Sequence, residues 1–147
     1  MTLHLRQIVL DAENARELAA FYLALLGGAY RPGDEPPADG SDDDPEWVAI
    51  RTPEGVGVTV QRVDELHRAT WPEGPVHQQL HLDFTVADAD ELERQRARAV
   101  ALGATVLDDR SADPEEALHV LADPAGHPFC IFVADDKSSG SEGTATV

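Results

Sequence analysis

The sequence has few cysteines, few aromatic residues and no long hydrophobic run. Its one cysteine excludes an internal disulfide, as is typical of cytoplasmic proteins. No apolar segment approaches the ~20 residues that a membrane-spanning helix requires. The first 18 residues lack both the basic and the apolar region of a secretory signal. We therefore expect a cytoplasmic protein.

Basic residues are also scarce. The chain has 11 Lys plus Arg against 28 Asp plus Glu, a formal net charge of −17. Such a surface repels phosphate backbones and anionic lipids, which argues against nucleic-acid and membrane partners. The excess of acids has two interpretations that the sequence leaves open, a solubility or salt adaptation and a functional role.

The remaining composition is that of one globular domain. A chain of 147 residues with 42% hydrophobic residues is long enough to bury a single core. Phosphate loops, dinucleotide fingerprints, nucleophile elbows and paired-cysteine zinc motifs are all absent from the sequence. Chemistry built on glycine-rich phosphate binding is thereby excluded.

The first half predicts a strand, a helix and further strands. A β-prone run over residues 3–10 leads into "NARELAAFYLALLGG", where Asn14 is placed to cap a helix and Gly27 to end it. Its apolar residues recur at helical spacing: Leu18, Phe21, Tyr22, Leu25 and Leu26. Residues 31–46 are rich in Pro, Gly and acids and predict a solvated loop, with a lid over a binding site as the other interpretation.

The second half predicts the same order of elements. Residues 67–76 carry prolines and a glycine and predict a connector between halves. A strand then precedes a helix that begins after Asp88 and ends before Gly103. The predicted strands of the whole chain are 3–10, 46–52, 55–63, 79–86, 105–109, 117–123 and 128–134.

The two halves superpose with a shift of 74 residues, which places Gln7 on His81 and Asn14 on Asp88. Two tandem βαβββ modules of an α+β fold are therefore predicted, because neither module could bury its sheet alone. We expect one domain over residues 1–134. Its parts are module one, 3–66, the connector, 67–76, and module two, 77–134. Residues 135–147 are small and polar and predict a disordered tail.

Three motifs resemble the vicinal oxygen chelate superfamily, which includes glyoxalases, bleomycin-resistance proteins and extradiol dioxygenases. They are "NARELAAFYLALLGG", "LHLDFTVADADELERQRARAVALGATV" and "LADPAGHPFCIF", and the likeness covers about residues 3–134. The resemblance implies curled sheets around a cup-shaped cavity with the helices outside, a small-molecule ligand and a homodimer. It leaves the function open, because the family includes isomerases, lyases, dioxygenases and proteins that only sequester drugs.

The resemblance also implies a set of site positions. In family members that use a metal, the first and last strands of each half supply His or Gln, Glu, His and Glu. The matching positions here are Gln7, Gln61, His81 and Cys130. One imidazole, one thiol and two amides are too poor in anionic oxygen for a hard cation and too few for zinc. We therefore predict no metal and no cofactor.

Strand alternation predicts which side chains face the cavity. His81, Asp83 and Thr85 should share one face of their strand, with Leu82, Phe84 and Val86 on the helix side. By the same rule Gln7, Val9 and Asp11 should face the cavity in module one, and Cys130 and Phe132 in module two. Trp47 and Phe132 are candidate aromatic walls, whereas Tyr22 should pack under the sheet. The predicted surface or turn histidines are His77, His119 and His127.

Two side chains, His81 and Cys130, each have two possible roles. His81 is either a proton-transfer residue or a histidine held by hydrogen bonds in a polar pocket, and Asp83 is not counted as its partner. Cys130 either lines or packs the pocket as a small hydrophobe, or acts as a nucleophile if His81 lies within hydrogen-bonding reach.

These residues favour a metal-independent small-molecule binding protein, with His81 as the candidate for proton transfer. Its ligand is expected to be partly apolar or aromatic and to contact Gln7, Trp47, Gln61, His81, Cys130 and Phe132. One alternative is a metal-dependent lyase, isomerase or dioxygenase with Asp11 or Asp83 as a further ligand. A second alternative is a partner-binding module whose acidic loop binds a basic protein.

Overall fold

The computed structural model describes residues 2–135, so nearly all of the predicted tail lies outside the described residues. The elements in chain order are β1 (Gln7–Ala12), α1 (Ala15–Leu26), β2 (Ala29–Tyr30), β3 (Trp47–Arg51), β4 (Gly57–Arg62), β5 (Leu82–Val86), α2 (Ala89–Leu102), β6 (Thr105–Arg110), β7 (Leu118–Ala122) and β8 (Pro128–Val133). They form two βαβββ modules, which confirms the predicted α+β fold.

Each module contains one four-stranded sheet, and the strand order is the same in both. The orders are β1-β4-β3-β2 and β5-β8-β7-β6, and the two sheets do not close into one barrel. The first and last strands of a module pair in parallel, and the other neighbours pair antiparallel. A residue on the first strand therefore lies beside a residue on the last strand, although about 50 residues of chain separate them.

Both helices begin at the residues that the sequence predicts. The side chain of Asn14 accepts a hydrogen bond from the backbone N–H of Glu17 (3.0 Å), and Asp88 accepts one from Glu91 (2.8 Å). These bonds satisfy N–H groups that have no partner within the helix. Helix α2 ends at Gly103, whose φ of 119° is a conformation that residues with a side chain rarely adopt.

The two modules share one hydrophobic core on the helix side of the sheets. Phe21 of α1 contacts Phe129 of β8 with ring centroids 6.1 Å apart, so the first helix packs against the second module's last strand. The alternation predicted for β5 and β8 is confirmed, because one row packs on this core and the other does not. The core-facing row is Leu82, Phe84, Val86, Phe129, Ile131 and Val133.

A buried polar contact also joins the modules. The Tyr22 hydroxyl donates to Oδ2 of Asp123 (2.7 Å), and the same carboxylate accepts the backbone N–H groups of Ala125 and His127. Nδ1 of the His127 ring lies 2.8 Å from Asp123 Oδ2. Burial raises the pKa of Tyr22 well above its usual value, and the Asp123 charge adds to the rise. Tyr22 thus packs under the sheet, as predicted, and ties α1 to the turn before β8.

The prediction that His119 lies at the surface is wrong. Its side chain is 0% exposed and projects from β7 toward α2, where Nε2 lies 2.7 Å from Oε1 of Glu93. This hydrogen bond holds the pKa of Glu93 below its usual range, with Arg96 adding to the effect. His119 alternates with Leu118 and Val120 on its strand and therefore shares the helix side with Leu121.

The acidic loop between β2 and β3 is exposed along most of its length but attached to module one. Arg16 of α1 pairs with Asp43, and Asp34 pairs with Arg31 and accepts the backbone N–H of Ala49. Among residues 2–135, every hydrogen bond and ion pair that this loop makes outside itself goes to module one. These contacts give no support to the interpretation of the loop as a lid over module two.

Among residues 2–135, neither helix is long and apolar enough to cross a bilayer.

The variant Tyr22→Phe should lower the free energy of unfolding by about 1.5–3 kcal/mol, because it removes a hydrogen bond to a buried charged group. Urea unfolding measures the change, which should move the midpoint and leave the m-value unaltered. Tyr30→Phe is the matched control, since the half-buried Tyr30 ring keeps its contact with Arg16 in the variant. Equal midpoints for the two variants would contradict the role assigned to Tyr22.

Candidate functional site

His81, Asp83 and Cys130 lie together on the face of module two that is turned away from the helices. The parallel register of β5 and β8 sets Asp83 directly beside Cys130, and His81 precedes Asp83 by two residues on the same face. One potential ligand atom from each of the three side chains lies within 4.8 Å of the other two. Imidazole, carboxylate and thiol groups thus meet at one point on the surface.

The His81 ring is held on two sides. The Trp71 ring stacks on it with centroids 5.4 Å apart and an interplanar angle of 17°, and Nε2 lies 3.4 Å from Oδ1 of Asp83. The side chain remains 34% exposed, so it is open to a ligand. On the sequence alone Asp83 is not counted as a partner of His81, and the structure places the two side chains in contact. Residues two apart on a strand face the same side about 6.5 Å apart, which bent side chains can span.

Cys130 is buried in a small apolar cluster of its own, separate from the main core. It is 3% exposed and packs on Leu118 and Val120, with Trp71 and Phe132 beside them. We call the seven residues of this surface the module-two face: Trp71, His81, Asp83, Leu118, Val120, Cys130 and Phe132. The face combines an apolar wall with two polar groups at its exposed edge.

The environment of Cys130 disfavours the thiolate. Burial raises the pKa of the thiol to about 11, and the charge of Asp83 and its hydrogen bond to the thiol act in the same direction. A nucleophilic cysteine requires the opposite, a nearby cation or helix N-terminus that stabilises the anion. The structure therefore favours apolar packing over nucleophilic catalysis for Cys130.

Sequence reasoning missed Trp71. The connector was expected only to join the modules, but it places this side chain over the apolar cluster and the His81 ring. A signal was present, because a tryptophan among prolines and glycines in a polar segment needs apolar surface to cover. The alternation of strands could not show which surface that would be.

The predicted residues of module one make contacts within that module. The amide oxygen Oε1 of Gln7 accepts a hydrogen bond from the Thr59 hydroxyl (2.9 Å), and Gln61 lies beside Trp47 on the neighbouring strand. Within residues 2–135, no hydrogen bond, ion pair or ring contact joins Gln7, Trp47 or Gln61 to His81 or Cys130. The structure brings together the predicted residues of module two and leaves the other three on module one.

The strand register shows which residues of the two modules occupy equivalent positions, and the result differs from the sequence alignment. Val9 lies beside Thr59 in module one as Asp83 lies beside Cys130 in module two. Thr59 is therefore the counterpart of Cys130, and Gln61 is the counterpart of Phe132. The sequence match of Gln61 with Cys130 is displaced by two residues, because the last strand of module one has no turn motif to fix its register. Thr59, which is 0% exposed, was missed for the same reason.

A cleft of about 170 Å³ lies between the modules and has no lining residue in common with the module-two face. Strand β1, the connector and the turn before β8 line it, with His77 and His127 among the lining residues. The amide oxygen Oε1 of Gln78, another lining residue, is buried without a hydrogen-bond partner. The described residues show no ionisable cluster of the kind found at His81 in this cleft.

Comparison with known proteins agrees with this architecture. The family model described as a glyoxalase-like domain matches residues 7–132. This match covers both modules, and the chain belongs to the glyoxalase-like domain family and thus to the vicinal oxygen chelate superfamily. No curated protein is similar enough in sequence to count as a match.

Solved structures show the same fold at low sequence identity. A glyoxalase/bleomycin resistance protein/dioxygenase family enzyme from Burkholderia phytofirmans PsJN is 18% identical with a TM-score of 0.66, over 89% of this chain and 98% of that one. A mutant of the fosfomycin resistance protein FosX from Listeria monocytogenes, complexed with Mn(II) and 1S,2S-dihydroxypropylphosphonic acid, is 16% identical with a TM-score of 0.65, over 95% and 98% of the two chains. A glyoxalase/dioxygenase from Nostoc punctiforme is 19% identical with a TM-score of 0.60, over 90% and 92%.

The Cys130 thiol of the metal-free protein should react slowly with iodoacetamide at neutral pH. The reaction rate should keep rising with pH, because the thiol pKa is about 11. A cysteine in the denatured chain has a pKa of about 8.5, so its rate should level off at a lower pH. Asp83→Asn should lower the thiol pKa and speed the reaction, because it removes a neighbouring negative charge. Asp108→Asn, an exposed carboxylate on β6, should not. A wild-type rate equal to that of the denatured chain would contradict the assigned environment.

Proposed function

We propose that this chain is a metal-independent small-molecule binding protein whose ligand lies on the module-two face. The observation that carries the proposal is the stack of Trp71 on a partly exposed His81, next to an apolar cluster. A histidine fixed by an aromatic ring and a carboxylate is oriented before any ligand arrives. The half-buried Trp71 and Phe132 rings supply apolar contact area, and the buried Leu118 and Val120 pack behind them.

The character of the face indicates the class of ligand. Small-molecule sites are mostly apolar with a few placed polar groups, and here only His81 and Asp83 are polar. An aromatic or partly apolar ligand would pack on the Trp71 and Phe132 side of the face. A hydroxyl or carbonyl group on that ligand would meet the His81 ring. Gln7, Trp47 and Gln61 on module one stay predicted contacts, and the homodimer stays a prediction.

The hard divalent metal that FosX binds, Mn(II), does not fit the residues of this chain. Hard cations require several oxygen ligands, usually with more than one carboxylate. Asp83 is the only carboxylate in the His81 cluster, and Cys130 offers sulfur instead of oxygen. We therefore derive no step through such a metal and do not favour a metal-dependent lyase, isomerase or dioxygenase.

His81 is the candidate for proton transfer to or from the ligand. If the imidazole takes a proton, the Asp83 carboxylate 3.4 Å from Nε2 stabilises the cation that forms. The face of the Trp71 ring stabilises the same cation through its π-electrons. Binding alone would need neither effect, so the arrangement favours a role in proton transfer as well as in contact.

The partner-binding alternative depends on the acidic loop. That loop is fixed to module one by Arg16 and by the contacts of Asp34, so it presents its remaining acids to solvent. The observations on the module-two face do not bear on it, and it stays an alternative prediction.

Small aromatic carboxylates and phenols, screened in the presence of EDTA, should include compounds that raise the melting temperature. A compound that binds only the folded state stabilises it by RT ln(1 + [L]/Kd), about 2.7 kcal/mol at a concentration of 100 Kd. Trp71→Ala and His81→Ala should each remove the shift caused by such a compound. His77→Ala, an exposed histidine away from the face, is the matched control. Shifts that survive both site variants, or that appear only with added Mn²⁺, would refute the proposal.

A bound compound with an acidic C–H next to a carbonyl group should exchange that hydrogen for deuterium in D₂O. Proton NMR of the compound measures the exchange, which should fall by roughly 10²-fold or more in His81→Gln because a general base is lost. His81→Gln keeps a hydrogen-bonding group, so binding should persist. Exchange at the wild-type rate in His81→Gln would show that His81 binds the compound but does not transfer its proton.

A further inference from the structure

The cleft between the modules presents hydrogen-bond acceptors for which the chain supplies no donor. Asp11 of β1, Gln78 before β5 and His127 in the turn before β8 are all lining residues. Within residues 2–135, Asp11 makes no hydrogen bond or ion pair, and Oε1 of Gln78 is buried without a partner. Buried polar atoms in folded proteins are nearly always hydrogen-bonded, so the Gln78 oxygen requires a donor from outside the chain.

The third acceptor is set by a buried carboxylate. Asp123 is 0% exposed and accepts hydrogen bonds from the Tyr22 hydroxyl, the backbone N–H groups of Ala125 and His127, and the His127 ring. Since a carboxylate only accepts, the ring proton is on Nδ1, and Nε2 of the neutral ring keeps a free lone pair. Nε2 makes no hydrogen bond in the described part of the chain and is not buried. Asp123 thus holds His127 in the tautomer of an acceptor.

We propose that this cleft binds a small molecule that carries a protonated primary amine. An ammonium group has three N–H donors and no acceptor. It therefore matches the Asp11 carboxylate, Oε1 of Gln78 and Nε2 of His127, which offer acceptors and no competing donor. The rest of the molecule packs on the apolar part of the wall, formed by Leu10, Leu66, Leu80 and Pro128.

The charges around the cleft favour a cation over an anion. Asp11 lies in the wall and the Asp123 carboxylate lies behind the His127 ring. Among the described residues that line the cleft, only Arg68 has a fixed positive charge, and its guanidinium donates to the carbonyl of Pro124 (2.8 Å). The net charge of −17 raises the local concentration of cations around the whole chain. The volume of about 170 Å³ limits the ligand to a small one.

This site is separate from the one on which the proposed function depends. The cleft shares no lining residue with the module-two face. Its acceptors also lie outside the positions that the superfamily resemblance implies, which are Gln7, Gln61, His81 and Cys130. The inference therefore goes beyond the proposed function and does not depend on the ligand of the module-two face.

Butylammonium is the probe, and butyrate, which has the same chain length and the opposite charge, is its control. At about pH 8, above the usual histidine pKa of about 6.5 and below the alkylamine value of about 10.4, NMR of the ring nitrogens should show His127 as the neutral Nδ1–H tautomer. Titration in about 0.15 M salt, which screens attraction to the acidic surface, should shift its Nε2 signal saturably. The signals of the exposed His4 should not move, and butyrate should shift neither residue.

Asp11→Asn and Gln78→Leu should each weaken butylammonium binding by about tenfold or more, because each removes a hydrogen bond to a charged group. Asp108→Asn, which removes an exposed carboxylate on β6, is the matched control and should bind as the wild type does. Gln78→Leu should not lower the urea midpoint of the ligand-free protein, since the amide oxygen that it removes has no partner. Asp11 is exposed, so its variant should also fold normally.

An imidazolium form of His127 at the same pH would overturn the site. So would an equal response to butyrate, a His127 shift that does not saturate, or unchanged affinity in both Asp11→Asn and Gln78→Leu. Equal weakening in Asp108→Asn would show diffuse binding to the acidic surface and would also overturn it. None of these results bears on the module-two face, whose ligand binding is measured through Trp71→Ala and His81→Ala.

Discussion

The parallel pairing of β5 with β8 is the constraint on which the candidate site depends. It places Asp83 beside Cys130 and, through the alternation of side chains, puts His81 on the same face. The same register sends Leu82 and Phe129 into the core that both modules share. A slip of one residue would exchange the two faces, so the hydrophobic core specifies the site. The chemistry on one side of the sheet is fixed by packing on the other.

The features that the sequence predicts correctly are local and periodic. Both helix caps and the inward and outward rows of β1, β5 and β8 follow from spacing within a few residues, and the repeat of modules follows from comparing these local patterns between the halves. The failures involve contacts that spacing does not contain. His119 is buried because α2 covers it, and Trp71 reaches the module-two face because the connector folds back. Asp83 was discounted although it pairs with His81, since bending of the side chains decides that contact. The register of Thr59 depends on a long-range strand pairing.

The two modules keep one backbone plan but differ in what they expose. At the matching positions of module one, Thr59 donates its hydroxyl to the amide oxygen of Gln7, so the two side chains bond each other. In module two the corresponding surface has His81 and Asp83 partly open to solvent, beside a buried thiol. The buried Thr59 hydroxyl is committed to its bond with Gln7, whereas the partly exposed His81 and Asp83 retain free donors and acceptors. The repeat is thus structural in both halves, and the groups available for chemistry lie in the second.

The packing of α1 against β8 makes the two repeats inseparable. Phe21 and Tyr22 lie in module one by sequence, but Phe129 and Asp123 of module two complete their surroundings. A fragment that ended within the connector would carry these aromatic side chains into water and would tend to aggregate. Each repeat therefore covers part of the other's interior, and the connector keeps the two halves of that shared interior in one molecule.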